Sequence, residues 1–226
     1  MIDVCVCTLG NREPAGLEFI PEEFRLIYSN KRPWPVAAND VLDRSSNDVL
    51  FIDDDIEFVP ESFKFFDTYR SKAEIIGFSL HHCANGAWEL QNAGYMYFAD
   101  GNKYVSMDKD EAHYVAHVTA SCMYIKSEVV RSGLRFPVWD GVYSEDLVFT
   151  PGAWLKGFRV AHVPGLVRHH MKWADVGLAG AEKAVLPNLK TEWEKNRIQL
   201  RKWEDENDII GNVQRGIIPN GRIKIQ

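Results

Sequence analysis

Short apolar runs rich in β-branched and aromatic residues alternate with helix-like segments through residues 1–80, and few folds accept that order. "IDVCVCTLGNR" reads as a buried strand closing at the turn residues Gly10 and Asn11. "FRLIYSN" is a second strand, "VAANDVLDRSS" has helical spacing, and "DVLFIDDD" is a third strand. "PESFKFFDTYRSK" opens with Pro60 at a first helical position, and "EIIGFSL" is a fourth strand. This alternation predicts an α/β fold in which a mixed, mainly parallel sheet is flanked by helices.

After Gly86 the texture changes. "WELQNAGYMYFADGNKYVSM" is aromatic and strand-like, with a hairpin turn expected at Asp100-Gly101. "VTASCMYIKSEVVRSG" reads as strand then helix, "SEDLVFTPGAWLKG" as a helix ending at Gly157, and "FRVAHVPGLVRHH" as a final strand. Leu189, Trp193, Leu200 and Trp203 recur at helical intervals, which predicts a long amphipathic helix as a C-terminal extension. The tail "GNVQRGIIPNGRIKIQ" reads as an arm or partner segment.

"VLFIDDDIEFVP" sets three carboxylates directly behind an apolar strand. Burying them is unfavourable unless positive charge arrives. Alternation along a strand would turn Asp53 and Asp55 to one side and Asp54 to the other. The triplet stands at the carboxyl end of its strand, where open α/β sheets place their ligands. Two convergent carboxylates form a partial shell for Mg²⁺ or Mn²⁺, with positions left for phosphate oxygens. Helix capping ahead of Pro60 accounts for one aspartate, not three. A calcium EF-hand is excluded, because Phe58 stands where its loop needs Gly and Lys64 where it needs a bidentate Glu.

Glu145 and Asp146 open a helix. Two readings stand: acidic residues favoured by the helix dipole, or a carboxylate general base for an acceptor hydroxyl. His169 and His170 follow a strand, either as an exposed pair or as a source of one imidazole for a borderline metal such as Mn²⁺.

The net charge of −6 weighs against a general nucleic-acid binder. Four cysteines, at 5, 7, 83 and 122, form no C-x-x-C pair, so a reduced, cytoplasmic protein is expected. "MIDVCVCTLG" lacks the basic start of a signal peptide, and no apolar run nears the roughly 18 residues that a bilayer span needs.

Taken in order, these segments resemble a GT-A glycosyltransferase, the nucleotide-sugar-dependent fold. "FIDDDIEFVPESF" resembles its D-x-D segment, "VCTLGNR" its opening strand and turn, and "LQNAGYMY" a mid-chain stretch of bacterial members. "SCMYIKSEVV" resembles the strand and helix before the acceptor site, and "SEDLVFTPGAWLKGFRVAHVPGLVRHH" the E-D helix with its trailing histidine. The resemblance runs over roughly residues 2 to 170, and order and spacing carry it rather than any single motif.

It implies a domain at 1–180, divided into a nucleotide-sugar half at 1–100 and an acceptor half at 101–180, followed by a helix and tail at 181–226. It implies a hexosyl- or pentosyltransferase that uses a nucleotide-diphosphate sugar and Mn²⁺ or Mg²⁺. Asp53 and Asp55 match the metal-holding carboxylates, and Asp54 faces the ribose or a helix cap. Thr8 and Arg12 match nucleotide-contacting positions. Asp146 matches the base of inverting members, with Glu145 beside it near the acceptor or sugar. The family histidine lies six residues past the strand's Pro, which from Pro164 gives His170, with His169 the alternative. Many members end their second strand with acidic residues that bind base and ribose. Here Tyr28-Ser29-Asn30 stands instead, and Asn30 retains the donors and acceptor that a base edge needs.

Two other readings stand beside this one. A nucleotidyltransferase also uses acidic metal ligands, but "TLGNREPAG" lacks its dense glycine and lysine run. A non-catalytic carbohydrate-binding protein would use Trp88, Trp139 or Trp154 as sugar platforms, against core packing as the commoner fate of a large aromatic. As acceptor, a saccharide is favoured over a modified nucleobase in DNA, for which only the basic tail argues.

Overall fold

The protein is described by a computed structural model over residues 1–7, 17–84, 87–97, 103–105, 110–139, 145–170 and 189–225. The four early strands form where their apolar runs lie: β1 (Ile2–Cys7), β2 (Arg25–Ser29), β3 (Asp48–Asp53) and β5 (Ile75–Ala84). Helices α1 (Trp34–Arg44) and α2 (Pro60–Tyr69) separate them, and α2 starts on Pro60 as its missing N–H favours. A short strand with no period of its own, β4 (Ile56–Phe58), follows the acidic triplet.

The middle of the chain supplies β6 (Ala87–Asn92), β7 (Tyr95–Tyr97), β8 (Lys103–Val105) and β9 (His113–Tyr114). β7 and β8 pair antiparallel as a hairpin; the expected Asp100-Gly101 turn lies outside the described residues. Then come β10 (Cys122–Ile125), α3 (Ser127–Arg131), α4 (Asp146–Leu155) and β11 (Val160–His169). The predicted long helix is α5 (Leu189–Glu206), with the side chain of Trp193 outside the described residues.

Among the described residues nine of these strands share one mixed sheet along the path β9-β11-β5-β10-β3-β1-β2, with β4 on β11 and β6 on β5. β1 pairs parallel with β2 and β3, and β11 parallel with β5. β10 lies antiparallel between β3 and β5. Those two strands therefore run the same way, and so do all five of β2, β1, β3, β5 and β11.

Both faces are covered, which is why the strand sequences are apolar almost throughout. Cys5, Val49, Phe51 and Met123 face Ala37, Val41 and Leu42 of α1 and Phe149 and Ala153 of α4. Val4, Leu50, Ile52, Ile76 and Tyr124 face the other way, onto Phe66 of α2. Cys5, Cys7 and Cys122 are buried, as small apolar side chains of this core. At the far end of β1, Asp3 is fully buried and accepts hydrogen bonds from Arg25, Ser45 and Asn47.

The tail departs from expectation. It forms α6 (Ile209–Gln214) and then β12 (Ile223–Lys224), which joins the sheet edge against β9. Ile225 is buried, and its N–H donates to the Ala112 carbonyl at 2.9 Å. The period-free tail is thus recruited by an open strand edge, a non-local pairing that its own sequence does not announce. Two of its basic residues are ion-paired, Arg215 with Asp208 close by in sequence and Lys224 with Glu111 across the sheet edge.

One close approach sets the neighbourhood of the site. Gly77, in the middle of β5, leaves room for Val118: a Cβ there would stand 2.4 Å from the Val118 Cβ. Gly77→Ala should therefore destabilise the protein by about 1–3 kcal/mol through overpacking, seen as a lowered urea midpoint with an unchanged slope. An unchanged midpoint would mean that the 117–121 segment yields freely.

Candidate active site

Because five strands share one direction, their carboxyl ends open on one edge. The antiparallel β10 brings its amino end, with Ala120 and Ser121 just before it, to that same edge. Asp53 is the last residue of β3, and Asp54 and Asp55 make the turn into β4. Alternation along an unbroken strand therefore does not arrange the triplet; a turn does. The Trp34 indole N–H donates to Asp53 Oδ1 at 2.7 Å, and the Asp53 N–H donates to the Ser121 carbonyl at 3.1 Å.

Asp53 is partly buried as a residue. That burial pushes the carboxyl up to about 8, the neighbouring Asp55 and Asp54 charges add to it, and hydrogen bonds from Trp34 and Ser121 only partly oppose it.

Asp55 meets one of the two histidines. His169 Nε2 lies 3.3 Å from Asp55 Oδ1, with side chains 13% and 21% exposed. The His170 ring turns instead to Glu57, Nε2 to Oε2 at 2.6 Å, although its backbone N–H donates to the Asp55 carbonyl at 2.7 Å. Arg168 Nη1 donates to the other Glu57 oxygen at 2.8 Å. Burial works to raise the Glu57 carboxyl, but these two partners outweigh it and hold it below the usual carboxylate range. Successive residues of β11 face opposite ways, so Arg168 and His170 share Glu57 while His169 faces the aspartate. Counting from Pro164 points to His170, but a register shift between Val163 and Leu166 intervenes between the proline and the histidines.

Asp146 starts α4, and Glu145 stands immediately before it as the helix cap. The Asp146 carboxylate accepts from its own helix, Leu147 N–H at 2.9 Å, and from Ala120 N–H at 3.3 Å. A residue that no sequence motif singles out supports it. His117 is 2% exposed, and its Nδ1 lies 2.9 Å from Thr150 Oγ1 and 3.1 Å from the Asp146 carbonyl. A carbonyl only accepts, so this pattern assigns the proton to Nδ1. Nε2 is then left facing Asp146 Oδ2 at 3.8 Å. Tyr95 packs on the same ring, centroids 4.7 Å apart.

Ala120 and Ser121 thus tie together residues far apart in sequence: one holds the carboxylate of Asp146, the next holds Asp53. Asn30 stands exposed at the same sheet edge, just past β2. Thr8 and Arg12 lie outside the described residues. β5 runs on through His81 and His82, and His82 pairs in register with His169. Of the tryptophans singled out, Trp154 is committed to the interior, its Nε1–H donating to the Val115 carbonyl at 3.0 Å. Trp88 packs under Arg168 and against His170.

Among the described residues no group of three or more His, Cys, Asp or Glu side chains is arranged to hold a metal ion. The ligand types that a divalent cation would take are two carboxylates and an imidazole, those of Asp53, Asp55 and His169, of which the structure sets Asp55 and His169 3.3 Å apart. Among the described residues no helix is long and apolar enough to cross a membrane.

Comparison with known proteins places the fold. No protein-family model and no curated protein sequence matches the chain. Solved structures do. The crystal structure of GalNAc-T7 with UDP, GalNAc and Mn²⁺ superposes with a TM-score of 0.51 at 11% identity, over 76% of this chain and 44% of that one. Residues 1–349 of S. aureus TarS in complex with UDP-GlcNAc superpose with a TM-score of 0.50 at 14% identity, over 76% of this chain and 58% of that one. The S. aureus TarS structure gives 0.51 at 14% identity, over 77% and 37%. The chain spans about half the length of these structures, and it has the mixed α/β architecture of the GT-A fold.

Asp53 yields a test. A carboxyl whose folded pKa is raised stabilises the fold fully below its unfolded value, 3.8, and loses that contribution as pH rises toward about 8. Without divalent cation, the Tm difference between wild type and Asp53→Asn should shift against wild type across that window, and added Mn²⁺ should reverse the shift. A pH-independent difference would show that the Asp53 carboxyl is not raised.

Proposed function

We propose that the protein is a metal-dependent glycosyltransferase that moves a sugar from a nucleoside-diphosphate sugar to an acceptor hydroxyl with inversion. The observation that carries this reading is the tie made by Ala120 and Ser121, which joins Asp146 to Asp53 at the carboxyl edge of a GT-A sheet. A donor's diphosphate and an acceptor's hydroxyl need those two carboxylates in one cleft.

Asp53 and Asp55, with His169 in preference to His170, would hold Mn²⁺ or Mg²⁺, which supplies charge neutralisation for the departing diphosphate. Trp34 fixes the Asp53 carboxyl from the protein side. Asp146 takes the proton of the acceptor hydroxyl as that oxygen bonds to the anomeric carbon, and the anomeric C–O bond breaks on the opposite face with its electron pair leaving on the phosphate oxygen. Glu145 stands beside the base, toward the acceptor. Asn30, at the same edge, is placed for the base or ribose, with Asp54 turned toward the ribose. The UDP ligands of the GalNAc-T7 and TarS structures make UDP-sugars the first donors to test. The ion pairing of Arg215 and Lys224 in the tail and the net charge of −6 favour a saccharide over DNA as acceptor.

Donor binding is read by thermal shift with UDP-sugars and Mn²⁺, and turnover by release of nucleoside diphosphate. Asp146→Asn should lower turnover by about 10²–10⁴-fold while leaving the donor-induced shift intact; near-normal turnover would remove Asp146 from the role of base. His169→Ala should weaken Mn²⁺ binding about 10–100-fold, and His170→Ala much less. His117→Ala should slow turnover about 10–100-fold by misplacing Asp146. His117→Asn, whose amide N–H can stand where Nδ1–H stood, should recover part of that loss.

A further inference from the structure

An open groove of about 420 Å³ lies between Val138 and Trp139 on one side and Gln199, Lys202, Trp203 and Glu206 of α5 on the other. That volume is within the usual range for small-molecule sites, roughly 300–1,000 Å³. The groove flanks the helix that begins at Asp146. Trp139 precedes that residue along the chain, and the Trp203 ring lies 3.9 Å from where a Cβ on Gly152 of α4 would stand.

Its lining is selective. Two indoles offer broad, amphipathic faces of the kind that pack on the C–H face of a sugar ring. Gln199 lines the groove with a side-chain amide, which carries two donors and an acceptor. An amide of that kind pairs with the hydroxyls of a polyol, which both donate and accept. Lys202 and Glu206 pair at 3.7 Å, so the charged lining residues cancel and give a phosphate or polyanion no net attraction. A neutral, polyhydroxylated ligand is the one that uses all of these groups.

We infer that this groove is an acceptor subsite for a neutral saccharide, holding sugar rings beyond the attacking hydroxyl; the acceptor role rests on the transferase reading above. Saturation-transfer NMR on the full chain tests it, with neutral oligosaccharides of hexose and N-acetylhexosamine units as probes and dextran sulfate and a single-stranded oligonucleotide as controls. A neutral saccharide should bind wild type. Trp139→Ala and Gln199→Leu should each weaken that binding by about tenfold, with the shift given by UDP-sugar and Mn²⁺ unchanged. These two are the informative variants, because Trp203 also packs on the cluster of Ile209, Val213 and Ile218. With a competent acceptor, the same variants should raise its KM and leave kcat and donor hydrolysis as they were.

Absence of neutral-saccharide binding, binding indifferent to both variants, or binding of the polyanions alone would overturn the inference. A wild type that binds the saccharide in this groove but no nucleotide sugar would overturn the acceptor role together with the transferase reading, leaving a saccharide site. Failure in the groove alone would leave donor chemistry at Asp53 untouched.

Discussion

The common direction of β2, β1, β3, β5 and β11 is the constraint on which the site depends. A strand's carboxyl end is where its chain turns away from the sheet, and there polar side chains can gather without disrupting the ladder of backbone hydrogen bonds. Five such ends on one edge place Asp53, His169 and Asn30 within a single rim. β10 runs the other way and contributes its beginning, so Ala120 and Ser121 arrive at the same rim.

The elements that were legible in the sequence are those whose signals are local. The apolar runs of β1 and β3, the proline that starts α2 and the helical spacing of α5 each carry their own period or breaker, and each formed at or near its expected place. β4 and β12 were not legible, because each is only two or three residues long and exists by pairing with a strand distant in sequence. A short segment recruited by an open edge has no periodicity to read.

The same division runs through the candidate site. Asp53, Asp55 and Asp146 stand out as acidic residues at element boundaries. The identity of the histidine beside Asp55 depends on which way each side chain at the end of β11 faces, and a count from Pro164 does not include that. His117 has no motif at all: it is a buried ring whose meaning comes from Thr150 and the Asp146 carbonyl lying across the fold.

The position of β10 also bears on how the chain reaches this state. β3 and β5 are never joined directly; each is sealed by β10, with Ile52 opposite Cys122 and Ile76 opposite Tyr124. β2, β1 and β3 can assemble from residues near in sequence, whereas closing the sheet waits for a pairing of high sequence separation, the kind that slows folding. Until β10 is seated, β3 presents an open apolar edge of the sort that templates pairing between chains. The strand that brings the two carboxylates together is therefore also the strand that covers the apolar edge of β3.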